Sequence, residues 1–109
     1  MSWSPWPQGD TFDPWTFDLE PDSGTFSIAG LSPPNFTLHM RNISNGVETQ
    51  GSGTFTNLVA ASGVNPAMIT YNQSTADVAN LGNFEVWLIL TSGGKTQTFS
   101  LGLLAIEPN

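Results

Sequence analysis

No cysteine occurs anywhere in the 109 residues. That absence removes disulfides, thiolate nucleophiles and cysteine-based metal centres from consideration, and leaves the redox compartment open. Cations are nearly as scarce. Arg41 and Lys95 stand against nine carboxylates, for a net charge of −7. Two cations cannot neutralise a row of phosphates, so neither nucleic acid nor an anionic membrane surface is an expected partner. No run approaches the roughly 20 apolar residues of a membrane span. The opening "MSWSPWPQGD" lacks the basic start and apolar stretch of a secretory signal. The expectation is synthesis in a cytoplasm without a leader. Charged residues make up only 10% of the chain, far below the roughly 25% of an average globular protein. Ser, Thr, Asn and Gly must therefore meet the solvent, which suits an all-β protein.

Chemical inventory is equally thin. His39 is the only histidine, and strand alternation puts it on an outer face between Thr37 and Arg41. No pattern in the sequence supplies it with the carboxylate and nucleophile that a triad needs. "DLEPDSG" (18–24) has oxygen ligands at alternate positions before a glycine. Pro21 interrupts it, the glycine comes late and no glutamate closes the loop, so calcium is not expected. Gly51-Ser52-Gly53 has no lysine nearby and no helix after it; a β-bulge, not a phosphate cradle, is the reading. The N-x-S/T triplets at Asn35, Asn42 and Asn72 are incidental to a Ser/Thr/Asn-rich β surface. No catalytic residue, metal or cofactor is expected, and the chain reads as a non-enzyme.

What is present is period-two patterning from Pro14 onward. "WTFDL" aligns Trp15, Phe17 and Leu19 on one face, and "PDSG" then turns the chain. "FSIAGL" (26–31) is a weaker strand. "NFTLHMRNISNGVETQGSGTF" is a hairpin signal: a two-residue Asn45-Gly46 turn sets Ser44 opposite Val47. Val47, Gly51, Gly53 and Phe55 then share a face with Phe36 and Leu38. "AMITY" (67–71) is a short strand, and Ser74 with Asp77 predicts a capping box on a brief helical turn ended by Leu81-Gly82. A second hairpin turns at Gly93-Gly94, pairing Leu88 with Phe99 and Val86 with Leu101. Phe84, Val86, Leu88, Phe99, Leu101 and Leu103 would then line the core. Seven or eight short strands predict an all-β, immunoglobulin-like antiparallel sandwich over 14–109, preceded by a Pro/Trp-rich arm over 1–13.

That arm holds three of the four tryptophans with the start of the first strand: Trp3, Trp6 and Trp15. Burying Trp3, Trp6 and Phe12 gains about as much as ordering roughly a dozen residues takes away. Such an arm is ordered only where an apolar surface receives it. Trp87 and Ile89, outward-facing between Glu85 and Thr91, offer one. Either the arm folds over that patch, or arm and patch (Trp3, Trp6, Phe12, Trp15, Trp87, Ile89) form a contact with another protein, a neighbouring copy being one candidate. The second reading is preferred here. It predicts that removing residues 1–13 leaves a folded monomer that no longer attaches to its partner.

The order of motifs resembles the immunoglobulin-like N-terminal module of the phage baseplate upper protein family and similar small virion domains. The resemblance covers residues 14–106. It runs through Ala29-Gly30-Leu31 with Phe36 to Asn42, then Ile69 to Tyr71, then Asp77-Val78 with Gly82 and Phe84, then Gly94-Lys95 with Thr98-Phe99. It implies a structural protein of the virion, present in several copies and bound to other virion proteins, with no catalytic residues to carry over. Family members commonly continue into a linker and coiled coil; the length here implies a self-contained component, on the tail or decorating the capsid. The rival reading is a carbohydrate-binding sandwich that contacts host glycans.

Overall fold

The computed structural model describes residues 4–108. Among them are eight strands: β1 (Trp6–Pro7), β2 (Trp15–Asp18), β3 (Phe36–Asn42), β4 (Glu48–Gln50), β5 (Thr54–Val59), β6 (Met68–Asn72), β7 (Gly82–Ser92) and β8 (Lys95–Glu107). They form a five-stranded sheet in the order β1-β8-β7-β3-β4 and a three-stranded sheet in the order β2-β6-β5. The expected all-β, two-sheet sandwich is the observed architecture. Alternation supplies its core. Phe36, Leu38 and Met40 of β3 and Phe84, Val86, Leu88 and Leu90 of β7 face Trp15 and Phe17 of β2 and Ile69 and Tyr71 of β6, all buried.

The long hairpin forms because Gly93 and Gly94 both hold positive φ, 60° and 77°, which a tight turn requires. Ser92 then meets Lys95, and Leu88 meets Phe99 as predicted. One pair further, the ladder slips. Trp87 lies opposite Ser100 but Val86 lies opposite Gly102, so Leu101 is an extra residue in β8. Gly102 takes φ 104° to make this bulge. Parity inverts beyond it: Leu104 and Ile106 turn inward, and Leu103, expected in the core, is 62% exposed. Leu101 is only partly buried against the core.

The first hairpin also departs from expectation. Asn42 takes over the turn: its amide donates to the Val47 carbonyl, its carbonyl accepts from Gly46, and its Oδ1 accepts from the amides of Ser44 and Asn45. An asparagine that satisfies local amides in this way outcompetes a two-residue turn. The first ladder pair is Arg41 with Glu48. The shift of two residues keeps parity, so the Gly51 amide still bonds Leu38 O at 2.7 Å. Val47, however, stays exposed in the turn.

Gly51-Ser52-Gly53 carries the chain from the five-stranded sheet, at β4, to the three-stranded sheet, at β5. It is a corner rather than the expected bulge within one ladder. A Cβ on Gly51 would run into the Tyr71 hydroxyl, and one on Gly53 into the Asn72 carbonyl. The glycines are needed because backbone passes that close. Residues 26–31 pair with no strand, contrary to expectation. They still dock Phe26 edge-on to Phe99, with ring centroids 5.2 Å apart. The Ser74–Asp77 capping box is present: the Ser74 amide donates to Asp77 Oδ2 at 2.9 Å and the Asp77 amide to Ser74 Oγ at 3.3 Å. It introduces a single 3-10 turn, Ala76–Val78.

The largest correction concerns the N-terminal segment. Residues 6–10 belong to the sandwich. β1 pairs in parallel with the end of β8, Trp6 beside Ile106. The Gln8 amide donates to Glu107 O, the Gly9 amide to Val78 O, and Trp6 Nε1 to Asp10 O at 2.8 Å. Trp6 is 8% exposed and stands in the core cluster. The prolines do not prevent this, because a two-residue edge strand needs few donors.

Candidate functional site

The predicted contact residues separate into three groups. Trp6 and Trp15 are core, packed on each other, and neither offers its ring to a partner. Trp15 also stacks on Tyr71 at 6.0 Å and 24°. That overturns their expected place in an intermolecular contact. It also differs from the intramolecular alternative, because Trp6 enters between the sheets and does not lie over Trp87 and Ile89. Trp3 lies outside the described residues. Phe12 remains a surface residue, 90% exposed, on a turn in which its amide donates to Asp10 Oδ1.

Trp87 and Ile89 do face outward from the five-stranded sheet, opposite Ser100 and Thr98 as predicted. Their cover comes from β3, which the sequence reading left out of account. Thr37 lies opposite Ile89 and His39 opposite Trp87. The imidazole stacks on the indole, with centroids 5.7 Å apart and planes at 13°. Both rings are therefore half-hidden. His39 Nε2 is 2.9 Å from Thr37 Oγ1, and Nδ1 is 3.9 Å from Glu48 Oε1. The structure thus supplies the hydroxyl and carboxylate that no sequence pattern announced. The Thr37 hydroxyl also leans 3.4 Å from the Ile89 carbonyl of its own sheet. In this arrangement the His39 imidazole lies against the Trp87 indole.

Carboxylates are mostly occupied in structure. Asp22 accepts from the Ser100 amide through Oδ1 and from the Ser100 hydroxyl through Oδ2, both at 2.8 Å, and its own amide donates to Thr98 O. It closes an open stretch of the β8 edge. Glu85 accepts from Arg41 Nη2 at 2.9 Å across the outer face. Asp77 binds the Ser52 amide and the Tyr71 hydroxyl besides its capping bonds. Tyr71 OH in turn accepts from the Gly53 amide at 2.8 Å. Burial, reinforced by the Asp77 carboxylate, pushes the Tyr71 phenol well above its ordinary value. Among the described residues, no three His, Asp or Glu side chains gather as a metal site. The three sequon asparagines all have structural partners: Asn35 reaches Thr91 O, Asn42 holds its turn, and Asn72 bonds Thr54 O and Thr56 Oγ1.

Two surfaces stand out among the described residues. One is the end of the sandwich at the β3–β4 turn, where Val47 and Leu81 line a shallow groove with Phe84, Asn42, Asn45 and Asn80. Ile43 sits beside it, its amide bonded to Asn83 O. Ile43, Val47 and Leu81 are all exposed. Gln8 and Gly9 bond Ala79 and Val78, so the turn that carries Phe12 leaves from the same end. The second surface is a groove between β7 and β8, bordered by Trp87 and Leu103. Sequence reasoning missed Leu103 because it ran the alternation straight through Gly102; a glycine inside a strand pattern was the available signal of a bulge. No family model, no curated protein and no solved structure matches this chain.

Proposed function

We propose that the chain is a non-enzymatic structural component of a bacteriophage particle, present in several copies and bound to other virion proteins. Its sandwich is, on this reading, of the immunoglobulin-like kind found in the baseplate upper protein family. The carrying observation is the apolar end of the sandwich: Ile43, Val47 and Leu81 stand exposed beside a rim of neutral asparagines. Such a patch, poor in charge and uncovered by its own chain, suits a contact with another protein. The motif order from Ala29 to Phe99 supports the viral context, and the occupied carboxylates suit a role without chemistry.

The test is made on particles of the phage that encodes the chain. Mass spectrometry of purified particles should find it as a component. A Val47→Ser/Leu81→Ser variant, which alters only exposed side chains, should fold normally and be missing from the particles. Particles that never contain the chain overturn the proposal; particles that accept the variant at full occupancy overturn the assigned surface.

A further inference from the structure

The groove between β7 and β8 has a construction that the virion role does not use. It encloses about 390 Å³, within the range of small-ligand sites, and is bordered by Glu85, Trp87, Thr98, Ser100, Gly102 and Leu103. The bulge creates it. By turning Leu103 outward, the parity change after Gly102 raises an apolar side chain on β8 opposite Glu85, bordering the same groove as the Trp87 indole. His39 stacks on the indole from the β3 side, and the Trp87 ring borders the groove toward β8.

We propose that this groove binds a neutral pyranose sugar, its C–H face laid on the open face of Trp87 and its edge against Leu103. Three observations select that ligand class. First, the polar groups are those that hold sugar hydroxyls. Glu85 gives one oxygen to Arg41 and keeps the other; Ser100 donates to Asp22 and keeps its lone pairs; the Thr98 residue is exposed. Second, the Arg41–Glu85 pair is internally neutral and the Asp22 carboxylate sits on Ser100 at the groove's border, which disfavours an anionic ligand. Third, an extended peptide cannot add to β8 here, because Asp22 already occupies the Ser100 amide and the Thr98 carbonyl. A flat ring with an apolar face and hydroxyl edges matches an indole with hydroxyl and carboxylate neighbours. This binding is independent of the particle role and stands or falls without it.

The full chain, labelled with ¹⁵N, is titrated with the methyl glycosides of glucose, mannose, galactose and N-acetylglucosamine, and is probed on an array of polymeric neutral and anionic glycans. At least one neutral glycoside should move the Trp87 indole N–H and the Ser100 and Leu103 amide resonances; array binding alongside it identifies a glycan chain as the source. Trp87→Ala should weaken binding at least about tenfold. Leu103→Glu, on an exposed side chain, should weaken it similarly with the fold intact, and carries the test alone if Trp87→Ala fails to fold. No response to any neutral glycoside at millimolar concentration overturns the proposal. So does binding restricted to anionic glycans, or binding that Leu103→Glu leaves unchanged.

Discussion

The indole of Trp6 stands edge-on to the indole of Trp15, with ring centroids 5.4 Å apart and planes at 81°. This places the positive edge of one ring on the negative face of the other, the arrangement aromatic pairs favour. It joins the segment before β2 to the interior of the sandwich.

Trp6→Ala should therefore destabilise the fold by about 3–5 kcal/mol, the usual loss for a large aromatic removed from a core. Urea denaturation followed by circular dichroism measures it. Removing residues 1–10 should do at least as much damage, since the bonds to Glu107 and Val78 go too. A truncated chain with an unchanged urea midpoint would contradict the packing described.

At the corner between the sheets, Gly53→Ala should cost about 1–3 kcal/mol, because the new methyl must displace backbone at Asn72. Ser52→Ala, whose amide still reaches Asp77, should cost less. Thermal melts of the two variants side by side decide the order.

The raised phenol of Tyr71 makes stability pH-dependent on the alkaline side. The unfolded chain ionises near the ordinary tyrosine value of about 10, while the folded chain keeps its proton. This contribution is complete below about pH 10 and is lost as pH rises toward the folded value, at up to about 1.4 kcal/mol per unit. Tyr71 is the only tyrosine, so absorbance at the tyrosinate band reports it alone. The native titration should lie above the denatured one. Tyr71→Phe should be less stable at neutral pH and lose stability less steeply above pH 10.

Asp22→Ala uncovers the Ser100 amide and hydroxyl on the β8 edge. Self-association, read by light scattering at rising concentration, should increase. Asp22→Asn keeps an acceptor oxygen for the Ser100 amide and should associate less than the alanine variant.

Much of this architecture is legible in the residues themselves. Where a local rule and the alternation agreed, as at Gly93-Gly94 with Leu88 opposite Phe99, the pairing is as expected. The failures have separate physical causes. Asn42 captured two amides and lengthened a turn that Asn45-Gly46 was expected to make alone. Gly102 reversed the facing of Leu103, which a period-two count cannot register. Trp6 was misjudged because its receiving surface, the seam beside Ile106, is assembled from residues a hundred positions away. The Trp87 face was half legible: its outward direction followed from alternation, but its imidazole backing depends on strand order, which no local pattern encodes.

The pairing of Trp6 with Ile106 has a consequence for biogenesis. Early in translation Trp6 has no seat, because the seam that accepts it is synthesised about a hundred residues later. A nascent chain must keep that indole waiting, exposed to chaperones and to other nascent chains, until β8 clears the ribosome. Closure of the fold is thus timed by the arrival of Leu104 and Ile106.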